Sequence, residues 1–130
     1  MTRRGPRPGG DTGQSTLEFA VVASAVLTLI FVVIGYAMFE HAQSVVEGAA
    51  RAGAMAAAAQ GASPAAGQDK ANQYLDSVGS GLVEGRRVQA SGDGENVTVR
   101  VDGTARTPVL RLSVHAMVVR RVERFRADTP

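Results

Sequence analysis

Two histidines, His41 and His115, are the only imidazoles in the sequence, and neither stands in a spacing that assembles a metal site or a catalytic set. There is no H-E-x-x-H, no G-x-S-x-G and no phosphate-binding glycine loop. His115 falls on the outward face of an alternating stretch and reads as a surface histidine. The run "SGDGE", Ser91 to Glu95, brings oxygen ligands together in a way that suits a hard cation. It is far too short for a calcium loop, and a hairpin turn explains it better. Asn96-Val97-Thr98 is formally a glycosylation sequon, but it lies in a predicted strand. With no cysteine in the chain, a disulfide framework and a thiolate metal site are both excluded. These residues argue against an enzyme, and no cofactor, metal or small-molecule substrate is expected.

One carboxylate asks for more. Glu18 stands in "GQSTLEFAVV" at the head of a run, Phe19 to Phe39, of 21 residues without a charge, a histidine or a side-chain amide. Such a run spans the hydrocarbon core of a bilayer, about 30 Å, which takes about 20 helical residues. A buried helix of a soluble core is the alternative, but the rest of so short a chain could not wrap it. A carboxylate at the centre of a span costs about 2.5–3.5 kcal/mol, and less at its edge. Two readings of Glu18 therefore stand on the residues alone. It marks the helix start in the headgroup region, where it suits the helix dipole, or it enters the membrane with a partner.

The net charge of +2 invites a nucleic-acid partner, but its distribution argues against one. Arg3, Arg4 and Arg7 against Asp11 supply the whole excess, and from Gln14 onward eleven basic and eleven acidic residues cancel. Positive charge gathered ahead of an apolar run keeps the N-terminus cytoplasmic and sends the C-terminal part outside. Residues 1–13, rich in Gly, Pro and Arg, read as a flexible basic leader. An ordinary cleaved secretory signal is disfavoured, because its apolar region runs only about 7–15 residues.

The elements that must carry these features follow from periodicity. Residues 14–40 form the span, within a helix expected from about Ser15 to about Gln60. Beyond Glu40 the pattern becomes amphipathic over 41–61, with Ala42, Val45, Val46, Ala49, Ala50, Gly53 and Ala57 on one stripe. His41, Ser44, Glu47 and Arg51 take the other side, Glu47 and Arg51 as an i, i+4 pair. Ser63-Pro64 reads as an N-cap followed by a first-turn proline. The short helix it opens carries Ala71, Tyr74, Leu75 and Val78 on one face, continued by Leu82, and ends at Gly79 or Gly81. From Arg86 the period changes to two: a hairpin around "SGDGE" with Val97, Val99 and Val101 on one face, then a break at Thr107-Pro108. A last strand follows with Leu110, Leu112, Val114, Ala116 and Val118 inward. Residues 62–126 are thus a small extracytoplasmic unit, and 127–130 a charged tail that frays with the residues before it. The fold class is α+β: a long N-terminal helix, transmembrane in its first half, then a short helix and a small antiparallel sheet.

A short basic leader, a glycine, four residues, then Glu-Phe and an apolar helix resembles the type IV prepilin signature, here "G-QSTL-EF-AVVASAVLTLIFVVIGYAMF". The stem "VVEGAARAGAMAAAA" (Val45 to Ala59) and the ending "SVHAMVVRRVERFR" resemble those of TadE-like proteins of tight-adherence (Flp) pilus systems. Met55 stands where that pattern often has Arg. The resemblance implies a pilin-like fold and cleavage by a membrane prepilin peptidase after Gly13, leaving Gln14 as the mature N-terminus. It also implies that Glu18, followed by Phe19, is an assembly contact pairing with the new amine of a neighbouring subunit. The expected partners are the membrane, the prepilin peptidase, other pilin or pseudopilin subunits and the pilus assembly platform.

The protein is expected to be a single-pass component of a bacterial cell membrane, and to enter a pilus. A domain this large after the helix favours a minor pilin or pseudopilin over a Flp major pilin. The competing reading is a single-pass membrane protein whose outer domain binds a partner unrelated to pili.

Overall fold

A single helix dominates the molecule. The structure, a computed structural model, describes residues 11–59 and 61–124. Helix α1 runs Asp11–Ala58, 48 residues, or about 70 Å at 1.5 Å per residue. It starts ahead of the expected Ser15, so the expected leader is helical from Asp11 to Gly13. The cause is local: the last proline of the leader is Pro8, and a lone glycine, Gly13, costs a helix about 1 kcal/mol without breaking it. The first ten residues of the leader and the tail 127–130 lie outside the described residues.

Helix α2 (Pro64–Val78) opens as predicted. Ser63 has an extended backbone at φ −127° and ψ 163°, and its hydroxyl accepts a hydrogen bond from the Ala66 N–H. At the other end Gly79 N–H donates to the Leu75 carbonyl at 2.8 Å, the last helical bond of α2, and Gly79 leaves the helix as its C-cap at φ −97° and ψ 1°. Three strands follow: β1 (Val83–Gly92), β2 (Asn96–Arg106) and β3 (Arg111–Arg121), paired antiparallel in the order β1-β2-β3. Strand β1 begins three residues before the expected Arg86. A bulge between Glu84 and Arg87, with Gly85 at φ +57°, breaks the alternation that would have shown it.

The core lies between the second half of α1, α2 and one face of the sheet. Every member of the predicted stripe, from Ala42 to Ala57, is buried. Against it lie Ala71 and Leu75 of α2 and, from the sheet, Val83, Val88, Val97, Val99, Val101, Ala105, Val114 and Ala116. The helices meet where neither has a side chain. A Cβ on Gly67 would fall 2.5 Å from the Ala57 Cβ and 2.7 Å from the Gly53 carbonyl oxygen. Two glutamines tie the outer strands to the helices: Gln43 Nε2 donates to the His115 carbonyl at 2.9 Å, and Gln68 Nε2 to that of Val88 at 3.2 Å.

Three expectations need correction. Leu110 and Leu112 are exposed by 63 % and 37 % rather than inward, because that end of the hairpin extends past the stem to the apolar half of α1. Val78 is also exposed, at 45 %, where α2 reaches its C-terminal end. The start of the charged ending does not fray: Val122 N–H bonds to the Glu95 carbonyl at 2.7 Å, and Glu123 N–H to that of Ala58 at 2.8 Å.

Candidate functional site

The first half of α1 is apolar on every side and touches almost nothing. Leu17, Phe19, Val21, Val22, Val26, Leu27, Leu29 and Ile30 are each at least 46 % exposed. A helix packed on a core would hide one stripe; an all-round apolar surface belongs in lipid or among other apolar helices. Two hydroxyls within the apolar run turn back onto the helix: Ser24 donates to the Val21 carbonyl and Thr28 to that of Ser24, both at 2.8 Å. These two donors are thereby satisfied within the helix, as a hydrocarbon surrounding requires. Among the described residues, this is the one helix long and apolar enough to cross a membrane.

Gly13, Gln14, Glu18 and Phe19 all lie on α1 at the entrance to this surface, and all four are exposed. Gln14 and Glu18 are four residues apart and so share one helix face, a turn apart. Glu18 has no hydrogen bond or ion pair with any described residue. Phe19 is 73 % exposed. The fold therefore brings the predicted site residues together at one end of the helix, far from the sheet, and leaves them open to another molecule.

The remaining candidates are structural. Asp93 Oδ1 accepts the N–H groups of Asn96 at 2.7 Å and Glu95 at 2.9 Å. These bonds to Asn96 first and Glu95 second hold the carboxyl below its ordinary pKa. "SGDGE" is thus the β1–β2 turn, closed by its own carboxylate. His41 and His115 are both exposed, and Asn96 opens β2. Among the described residues no group of three or more acidic or histidine side chains could hold a metal ion.

One feature was missed by the sequence. Thr107-Pro108 is more than a break in the pattern: the β2–β3 turn lies against α1 and lines an apolar notch with Phe31, Gly35 and Phe39. Its signal was Val109-Leu110, two apolar residues in a turn.

A long apolar helix followed by a short helix and a three-stranded antiparallel sheet is a pilin-like α+β layout. Residues 13–55 match the family model of TadE-like proteins, the family that the leader and stem resemble. The match begins at Gly13 and covers the apolar run and most of the stem, leaving α2 and the sheet outside it. No curated protein and no solved structure matches the chain.

Proposed function

We propose that this chain is a TadE-like minor pilin or pseudopilin, a structural membrane protein of a tight-adherence pilus or a related secretion apparatus. Residues 14–40 span the membrane, 41–61 form the projecting stem, and 62–126 complete an extracytoplasmic unit. The N-terminus is cytoplasmic before processing. A prepilin peptidase cuts between Gly13 and Gln14. That bond lies in the opening turns of α1, where fraying has a free-energy cost near zero, so it is accessible without disturbing the folded unit.

The observation that carries this reading is Glu18. It has no partner among the described residues, stands at the mouth of an exposed apolar helix, and lies one turn from Gln14. Cleavage removes the arginines of the leader and creates a cation at Gln14. The amine of a neighbouring subunit then gives Glu18 the opposite charge that makes its presence at the membrane edge affordable. The loss of the leader also removes the whole charge excess, which frees the helix to leave the bilayer for a bundle of like helices.

Glu18→Ala tests the reading in cells that assemble the pilus. The expected outcome is normal membrane insertion with pilus assembly lost. Unchanged assembly would return Glu18 to a helix-start residue and favour a single-pass protein with another partner.

A further inference from the structure

The β2–β3 turn reaches down the apolar helix. Val109 and Leu110 at its tip are 58 % and 63 % exposed. With Leu112 they face Phe31, Gly35 and Phe39 of α1 across an open notch of about 210 Å³. All these α1 residues precede Glu40, so the tip lies alongside the apolar run and not beyond it. The register of β3 agrees. His115 is level with Gln43, whose side chain bonds its carbonyl. Four strand residues back, about 13 Å, is Arg111, and that distance along a helix is about nine residues, to the neighbourhood of Ile34.

We propose that this hairpin tip, Thr107 to Arg111, is a second membrane contact, with lipid acyl chains filling the notch between it and α1. The proposal rests on the apolar run of α1 lying in a bilayer. Whatever surrounds Phe31 and Tyr36 there surrounds the tip as well, because the two share one continuous exposed apolar surface. Two further features suit the tip to that place. Its backbone is partly closed on itself: Thr107 Oγ1 accepts the Leu110 N–H at 3.1 Å and donates to the Leu110 carbonyl, while Pro108 has no N–H to satisfy. Arg106 and Arg111 face each other across the strands at its base. Both are exposed, and their long apolar stems let the charges reach back to lipid phosphates. Arg111 has no ion pair among the described residues, whereas Arg106 lies 3.5 Å from Glu84.

The absence of cysteine makes the test direct. Full-length single-cysteine variants Leu110→Cys, Ala25→Cys and Ser91→Cys are labelled with an environment-sensitive fluorophore. They are reconstituted in phosphatidylcholine–phosphatidylglycerol vesicles, and Val109→Cys repeats the reading should Leu110→Cys disturb the hairpin. Acyl-chain nitroxides should abolish most of the emission at positions 25 and 110, and aqueous iodide should quench only position 91. Iodide quenching at 110 with lipid quenching at 25 overturns the tip contact and leaves the span intact. Iodide quenching at 25 overturns the span and the tip contact with it. Shielding of 110 from both quenchers, lost on dilution with protein-free vesicles, means that a second copy of the chain fills the notch, and it also overturns the lipid contact.

Discussion

The two halves of α1 are one unbroken helix with opposite surfaces. From Phe19 to Tyr36 the residues are uncharged and mostly apolar, and the large ones are exposed in every direction. From Ala42 to Ala58 they are mostly alanine, glycine and valine, and the buried stripe is closed by α2 and the sheet. Side-chain size makes the difference. Small residues let Gly53 and Gly67 bring two helix backbones together and leave room for a sheet, whereas Leu, Ile and Phe on all faces leave no flank for a soluble partner. A helix can thus change its solvent midway with no break in its hydrogen bonds.

That contrast can be tested by substitutions placed on each side of it. The largest effect is expected from Leu75→Ala, which removes a fully buried side chain from the packed end. It should destabilise the folded unit by about 2–5 kcal/mol in denaturant unfolding of the detergent-solubilised chain. Leu29→Ala, in the exposed half, should leave that transition unmoved. Ile30→Arg should oppose membrane insertion by about 2.5–3.5 kcal/mol, read as the fraction of chain recovered in the membrane. On a helix bathed in water the same change would be nearly neutral, so an unaltered membrane fraction would break the contrast.

Ser63→Ala removes the α2 cap and should lower stability by about 1 kcal/mol, again only for the packed end. The smallest effect belongs to Asp93. Its folded pKa lies below the ordinary carboxylate value, so its contribution is present above the unfolded pKa and is lost as pH falls through the folded one. Asp93→Asn should therefore lower stability slightly at neutral pH, change it little below the folded pKa, and so flatten the acid side of the stability profile.

The parts of this architecture that were readable in the sequence are those with an uninterrupted period. The buried stripe of the stem and the inward valines 97, 99 and 101 repeat without interruption, and the cap at Ser63 is a local start signal beside them; each is where the sequence puts it. The failures share a cause. The bulge at Gly85 hid the start of β1, and strict alternation carried Leu110 and Leu112 inward although the sheet runs past its stem there. Val122 and Glu123 dock through backbone hydrogen bonds, which no side-chain pattern announces. At the candidate site the spacing of Gly13, Gln14 and Glu18 was visible from the start. What a single chain does not display is the partner of Glu18, because the proposed partner is an amine on another subunit, created by cleavage.

N-terminal sequencing of the protein from membranes of cells with an active prepilin peptidase tests that claim most directly. Gln14 is expected as the first residue. A chain that still begins at Met1 under those conditions would contradict it, and would leave Glu18 without the cation that explains its place.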